Sequence, residues 1–367
     1  MKKIAQTFAP FENRFIFVWV EMEGNVSNIK ELAGRLGLSV TTVSRVLNGK
    51  AAAHRISEAT SRRVVSAAAE FGYSVNRIAR GLKLERTETI GLIVPDISNP
   101  FFASVAKTIE MELRKQGYSL ILCDSQDDPG SEKELLELLA GRKVDGIILA
   151  PVGLSCDHVC HFRNRKIPVV AIDRYFPGSP VPYITCDNYL GAYMATEHLI
   201  KSGHRRIACI HGPEGVSSSQ DRIAGYTAAL RKFRIRIRHQ LVGGHDFGEE
   251  NGYLETLRLL KLKKRPTAIF ALGNLISLGV LRALQDSGLN IPEDISLVTF
   301  DEQPYSAYLR SPMTTIEQPR ELIARKAVSI LLEAVTAGEA IDSTIGIQLS
   351  PRLIVRDSVW NIKPVKS

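Results

Sequence analysis

The chain has 367 residues, 44% hydrophobic and 23% charged, with a formal net charge of +8. That length allows two or three domains with ample core, and the balance is that of a globular chain in water. No apolar run approaches the ~20 residues of a bilayer-spanning helix, and the five cysteines, scattered and odd in number, fit reduced thiols better than a disulfide framework.

At the N-terminus, Met1-Lys2-Lys3 has the basic start of a secretory signal. Glu12 and Arg14 interrupt the apolar stretch that follows, and no small-residue cleavage site appears. A cytoplasmic protein is expected. Charge is unevenly placed. Residues 26–84 hold ten basic side chains and three acidic ones, while residues 85–367 carry a net charge of only +1. A small basic module beside a near-neutral large one is the electrostatic footprint of a nucleic-acid binder. A solvated basic face without a partner has the same composition, so the pattern beneath the charge must decide.

Three short helices are predicted between residues 28 and 71. Asn28 and Glu31 form a capping box for the first, which turns Ile29, Leu32, Ala33 and Leu36 inward and stops at Gly37. Ser39 caps the second, where Val40, Val43 and Leu47 mark an apolar face and Asn48-Gly49 ends the helix. Ser57 caps the third, with Val64, Ala67, Ala68 and Phe71 at helical spacing before Gly72. Two helices separated by Gly37-Leu38-Ser39 have helix-turn-helix spacing. The second then presents Thr41, Thr42, Ser44 and Arg45 outward: short hydrogen-bonding groups and one guanidinium, suited to base edges and phosphates.

The run Leu38-Ser39-Val40-Thr41-Thr42-Val43-Ser44-Arg45-Val46-Leu47-Asn48-Gly49 resembles the recognition-helix signature of the LacI family of bacterial repressors. Phe71-Gly72-Tyr73-Ser74-Val75-Asn76-Arg77-Ile78-Ala79-Arg80-Gly81-Leu82 is similar to that family's exit from the third helix and its hinge. The resemblance implies that Val40, Thr41 and Arg45 read bases and that Asn48 touches backbone. It places Asn76, Ala79 and Leu82 at the hinge helix, with Leu82 as a minor-groove wedge. That helix is expected to be disordered off DNA and to form when two copies meet on an operator. The segment Lys50-Ala51-Ala52-Ala53-His54-Arg55 is about three residues longer than the commonest family loop and is similar to the fructose-repressor branch; Lys50 and Arg55 are its candidate phosphate contacts. Residues 1–25 match nothing in the family. They are expected to be poorly ordered, and a tail, a mistaken start with Met22 as the true one, and an extra element all remain open.

From Thr89 onward the chain alternates. Strands are predicted at Ile90–Val94, Ser119–Cys123, Gly146–Ala150, Val169–Ile172, Ile207–Ile210, Ala268–Ala271 and Ser296–Phe300, with helical stretches between them. This is an α/β pattern with parallel sheets. Polar residues follow the strands (Asp96, Asp124, Asp173, Asp301), where open α/β sheets bind ligands. No strand is followed by a Gly-x-Gly-x-x-Gly run, and no phosphate loop or trustworthy catalytic set appears. No catalytic residue, cofactor or metal is therefore assigned. Within this module, Cys156-Asp157-His158-Val159-Cys160-His161 places thiols and ligating groups on shared helix faces, and is read as a partly exposed helix in preference to a metal or redox site. The basic run Arg231 to Arg238 is read as a solvated loop and edge strand.

The resemblance continues through Val94-Pro95-Asp96-Ile97-Ser98-Asn99-Pro100-Phe101-Phe102, Ile172-Asp173-Arg174, Asp187-Asn188, Asp221-Arg222-Ile223-Ala224-Gly225-Tyr226 and Ile291-Pro292-Glu293-Asp294-Ile295-Ser296. It implies a periplasmic-binding-protein-like sensor with a cleft between two lobes joined by three crossovers. The effector-binding candidates are Asn99, Phe101, Phe102, Asp173, Arg174, Asp187, Arg222, Asn274 and Asp301. Carboxylates accept hydroxyl hydrogens, Arg222 and Asn274 donate, and a phenylalanine covers a sugar's apolar face. Arg174 with Arg222 would also tolerate a phosphate or carboxylate. Asn274 is followed by Leu275, where the family has Asp.

The expected organisation is an extension (1–25), a helix-turn-helix domain (26–74), a hinge (75–86) and a two-lobed effector-binding and dimerisation domain (87–367). The expected partners are a pseudo-palindromic double-stranded DNA operator, a small sugar or sugar-derivative effector and a second copy of the chain, with no membrane. No leucine heptads follow Val359 to build a tetramer. A soluble sugar carrier without a DNA role and an α/β enzyme acting on a sugar are the rival readings; the basic head argues against the first and the missing catalytic set against the second.

Overall fold

Asn28 opens the first helix as its side chain predicts: its Oδ1 accepts the Glu31 N–H at 3.0 Å. In the computed structural model, which describes residues 28–47, 49–73, 86–163, 165 and 167–362, α1 spans Ile29–Leu36, α2 Val40–Leu47 and α3 Glu58–Glu70. Gly37 closes α1 at φ 64°, a left-handed conformation that costs glycine little. Ser39 Oγ accepts the Thr42 N–H at 3.0 Å and Ser57 Oγ that of Thr60 at 3.2 Å, so the helix starts predicted at Asn28, Ser39 and Ser57 are each capped by that side chain. Leu32, Ala33, Val43, Val46, Val64, Ala67 and Ala68 form one core, walled by Ile29, Leu36, Leu47 and Phe71. One expectation is corrected. Val40 does not join the apolar face but is 40% exposed, while Val46 is buried. Val43 and Val46 are i, i+3 neighbours facing α1 and α3, and Val40 sits on the first turn, beyond the edge of that contact.

The chain divides into two compact units at Thr87 and Glu88. The second unit contains two six-stranded sheets. The first lobe is built on β1 (Thr89–Val94), β2 (Ser119–Asp124), β3 (Gly146–Leu149), β4 (Val169–Ile172), β5 (Tyr183–Cys186) and β11 (Gly346–Leu349). Its order is β11-β5-β4-β3-β1-β2, with every pairing parallel. The second lobe uses β6 (Ile207–Ile210), β7 (Val242–Gly243), β8 (Ala268–Ala271), β9 (Ser296–Phe300), β10 (Thr314–Glu317) and β12 (Arg352–Ile354). Its order is β12-β10-β9-β8-β6-β7, parallel except where β12 meets β10. The two orders correspond strand for strand: β4 in one lobe and β9 in the other take the same place.

Helices cover both faces of each sheet, as buried parallel sheets require. In the first lobe, α4 (Pro100–Lys115) and α11 (Arg320–Ala337) pack with Ile90, Leu92 and Val94. α5 (Pro129–Gly141) and α6 (Asp157–Arg163) pack with Ile93, Ile147 and Leu149. In the second lobe, α7 (Asn188–Lys201) and α8 (Ser217–Lys232) cover Cys209, Phe270 and Val298, while α9 (Glu249–Leu260) and α10 (Asn274–Asp286) cover Ala208, Ile269 and Leu297. Adjacent strand residues thus serve opposite cores, the two-residue period of a strand. The chain crosses between lobes near residues 187, 318 and 350, and the Asp187 N–H donates to the Leu349 carbonyl at 2.8 Å, tying the first crossover to the third.

All seven predicted strands are present, and β5, β7, β10, β11 and β12 add to them. The basic run requires a correction. α8 continues through Lys232, Arg234 takes φ 56°, and no strand forms between residues 233 and 238; the edge strand is β7. Phe233, Ile235 and Ile237 turn inward against the second-lobe core while Lys232, Arg234 and Arg236 stay exposed, an alternation that imitates a strand. In the predicted thiol cluster, Cys156 and Cys160 do approach, Sγ to Sγ 2.8 Å. His158 turns away from them to the buried Glu132 at 2.6 Å, whose other oxygen accepts the Val152 N–H. Among the described residues no group of three or more His, Cys, Asp or Glu side chains could hold a metal ion, and no helix is long and apolar enough to cross a membrane.

Candidate functional site

In the first unit, α2 turns its buried side to the core and leaves Ser39, Val40, Thr41 and Arg45 exposed on the other, with Lys50 and Arg55 exposed beyond it. Thr42 and Ser44 are half-buried. Thr42 Oγ1 lies 2.8 Å from Ser39 Oγ, so these two hydroxyls are engaged with each other at the helix start. The long loop forms a one-turn 3-10 helix, Ala52–His54, and Arg55 follows in a left-handed conformation. Asn48, Asn76, Ala79 and Leu82 lie outside the described residues.

In the second unit, the carboxyl ends of the two sheets face each other across a cavity. Asp173 follows β4 and Asp301 follows β9, so the two acids hold equivalent places. Both have positive φ, 63° and 77°, and both are buried. The left-handed region is uncommon for a residue with a Cβ, though Asp is among those that tolerate it. Strand pairing holds each one there: the Asp173 N–H donates to the Ile184 carbonyl and the Asp301 N–H to that of Ile316.

The inner cavity, about 40 Å³, is lined by Asn99, Phe101, Phe102, Asp173, Arg174 and Arg222, and by Ser218, Phe247, Gly273, Asn274 and Asp301. It shares Asn99, Phe102, Arg174 and Phe247 with an outer hollow of about 310 Å³. A larger hollow, about 960 Å³ and lined by Leu281, Leu289, Leu309 and Asp357 among others, belongs to the second lobe alone and does not gather ionisable groups from both.

The polar groups in the inner cavity are unequally committed. Arg222 donates from Nε to Asn188 Oδ1 at 2.8 Å and from Nη1 to the Leu272 carbonyl at 2.6 Å, and its guanidinium lies 3.7 Å from the Phe300 ring centroid. It is a fixed strut whose charge faces the two acids. Arg174 donates from Nη1 to Asp127 Oδ1 at 2.6 Å and stacks 4.8 Å from the Phe247 ring centroid, yet its buried Nε has no hydrogen-bond partner among the described residues. Asp173 Oδ2 lies 3.7 Å from that Nε, an ion pair too long for a hydrogen bond, and a buried guanidinium N–H without a hydrogen bond costs free energy until an acceptor reaches it. Asp301 Oδ1 accepts Gln318 Nε2 at 2.5 Å. Burial pushes the Asp173 carboxyl up to about 6, against the pull of Arg174 and Arg222 and with the Asp301 and Asp127 charges adding to the rise.

Several bonds join the lobes around this cavity. Asn274 Nδ2 donates to Asn99 Oδ1 at 2.8 Å. The Tyr175 N–H donates to Ser217 Oγ at 2.9 Å and its hydroxyl to Asp221 Oδ2 at 3.1 Å. The cleft is closed.

Eight of the nine predicted effector residues therefore line one cavity. Asp187 does not; one carboxylate oxygen accepts the Leu190 N–H at 2.8 Å and caps α7. Phe101 and Phe102 are both core and wall, each 4% exposed and edge-to-face at 5.1 Å. Ser218, Phe247 and Gly273 were missed. Phe247 had a signal, an aromatic between Asp246 and Gly248 in a polar turn; Ser218, in a run of three serines opening a helix, had none.

Known proteins share both units. Residues 28–76 match the model of bacterial regulatory proteins of the lacI family, and residues 87–355 that of periplasmic binding proteins and the sugar-binding domain of the LacI family. The chain belongs to the LacI family. The HTH-type transcriptional repressor PurR of Haemophilus influenzae is 34% identical over 339 residues, which cover 92% of this chain and all of that one. A solved complex of the transcriptional regulator CelR with cellobiose is 30% identical, covers 91% of this chain and all of that one, and superposes with a TM-score of 0.68. A LacI family transcriptional regulator from Enterococcus faecium with bound ribose is 30% identical, covers 75% of this chain and all of that one, and has a TM-score of 0.66. This LacI-family member is a DNA-binding transcription regulator that carries a ligand-binding sensor, and PurR proteins similar to it are transcriptional repressors.

Proposed function

We propose that this regulator represses transcription by reading a pseudo-palindromic operator as a homodimer, and that a small sugar or sugar derivative in the two-lobed cleft sets its operator affinity. In this reading residues 26–74 read DNA, 75–86 form a hinge and 87–367 bind effector and pair the subunits. Val40, Thr41 and Arg45 are the base readers; Ser39, Lys50 and Arg55 serve the phosphates.

The observation that carries the effector assignment is the inner cavity. It offers acceptor carboxylates from both lobes (Asp173, Asp301), a buried guanidinium N–H with no hydrogen bond among the described residues (Arg174 Nε, 3.7 Å from Asp173 Oδ2) and an aromatic wall (Phe101, Phe102, Phe247). A sugar presents hydroxyls that donate and accept, and a C–H face that packs on rings. A relative with bound ribose and another with cellobiose support the class. Because both lobes supply ligands, occupancy favours the closed cleft, and differential affinity for closed and open lobes is the free energy that reaches the operator.

The test is calorimetry of the full chain against a panel of pentoses, hexoses, disaccharides and their phosphates. One class should bind wild type, and Asp301→Ala should lose it by at least tenfold while still binding operator DNA. Equal binding by the variant would remove the cavity from the account.

A further inference from the structure

The second unit carries a strongly basic face at the end opposite the cavity. Residues 200–213, 227–245 and 257–267 hold thirteen Lys and Arg and no Asp or Glu. Since residues 85–367 as a whole carry only +1, the rest of the module is net acidic, and the excess of positive charge lies in these segments.

The fold brings the segments together. Two of them lead into the N-terminal ends of the adjacent parallel strands β6 and β8. Arg206 clamps the first to the third, donating from Nε to the Arg265 carbonyl at 3.1 Å and from Nη2 to that of Lys264. Arg258 joins the third to the second through the Gln240 carbonyl at 2.9 Å. Phe233, Ile235 and Ile237 anchor the middle segment in the core, which turns Lys232, Arg234 and Arg236 to solvent; Lys263 and Lys264 of the third segment are exposed as well. The carboxylates that pair with these segments lie outside them, as in Lys201 with Glu197 and Arg258 with Glu255.

We propose that this face binds the phosphate backbone of a second nucleic-acid segment without sequence preference, separately from the helix-turn-helix. Protein-binding faces are built around apolar and aromatic anchors. The large exposed apolar side chains of the described residues all lie outside the three segments; Trp360 and Ile362 border the first, through hydrogen bonds of their backbone to His204 and Ser202. A face of cations without an apolar centre fits a polyanion such as DNA, whose binding rests on counterion release. A protein tethered to its operator is surrounded by such DNA at high local concentration.

The experiment uses the full chain with its DNA-reading heads saturated by an operator duplex obtained by selection. A labelled 30-base-pair duplex of random sequence is then added, and anisotropy is read from 50 to 200 mM salt. The comparison is the quadruple variant Arg234→Ser, Arg236→Ser, Lys263→Ser, Lys264→Ser, all at exposed positions. Wild type should bind the second duplex, and the variant should bind at least tenfold more weakly. Its slope of log affinity on log salt should flatten by about 0.9 for each phosphate that the variant no longer neutralises. Operator affinity and melting temperature should be those of wild type. Equal binding by wild type and variant, or no binding by wild type at 50 mM salt, would overturn the proposal. So would competition by poly-glutamate as effective as by DNA of equal charge, which would mark an acidic-protein site. Failure of the operator itself to bind would instead count against the regulator reading.

Discussion

Asn274 Nδ2 donates across the cleft to Asn99 Oδ1, the same oxygen that accepts the Phe101 N–H and caps α4. One side chain therefore holds a helix start in the first lobe and a latch to the second, between residues 175 positions apart. Asn274→Ala removes the latch alone and should cost about 0.5–1.5 kcal/mol of stability. Asn99→Ala removes latch and cap and should cost about 1 kcal/mol more. Urea denaturation of both variants checks this; equal losses would mean that the cap contributes nothing.

The raised carboxyl of Asp173 predicts opposite pH trends for the free and liganded protein. A carboxyl that titrates near 6 when folded, against 3.8 in the unfolded chain, stabilises the fold in its protonated form. That contribution is complete below 3.8 and is lost as pH rises through about 6. A ligand whose hydroxyl donates to the carboxylate needs the ionised form, so its affinity should fall as pH drops through the same value. Calorimetry between pH 5 and 8 should show the loss in wild type and a flat profile in Asp173→Asn.

Asp301 and Asp187 were both expected to serve the ligand, but the structure gives them different surroundings. Asp187→Ala should cost about 1 kcal/mol as a lost helix cap and leave ligand affinity within twofold. Asp301→Ala should abolish the ligand response, and because it leaves the buried Gln318 amide without its acceptor it should also cost about 1–3 kcal/mol of stability. Parallel melting and calorimetry separate the two outcomes.

On α2, Arg45→Ala should cost about 1–3 kcal/mol of discrimination at one base position if its guanidinium reads a base edge, with stability unchanged. Val43→Ala should instead destabilise the first unit through a core cavity, by roughly 1–3 kcal/mol. Competition binding on operator variants, run beside thermal melts, distinguishes a reading residue from a packing one.

The caps and the central strands were legible because their signals are local. Asn28, Ser39 and Ser57 declare helix starts by their own side chains, and β1, β3, β8 and β9 are apolar runs buried on both faces. Strands β5, β10, β11 and β12 were not, being three or four residues long and mixed with polar positions. Arg231 to Arg238 misled in the other direction, since alternating burial needs no strand ladder. Val40 misled because a helix face two turns long leaves its end residue uncovered. The carboxylates of the cleft were visible as acids after strands. The latch, the strut made by Arg222 and the open Nε of Arg174 were not, since each depends on partners far away in the chain.

The most direct test of the regulator reading is selection of binding sites from a random double-stranded pool by the full chain, followed by affinity against salt on the enriched sequence, with and without the sugar identified by calorimetry. The expected result is a palindrome, a steep negative salt slope and an affinity that shifts with the sugar. No enriched sequence, or an operator affinity indifferent to a sugar that occupies the cleft, would contradict it.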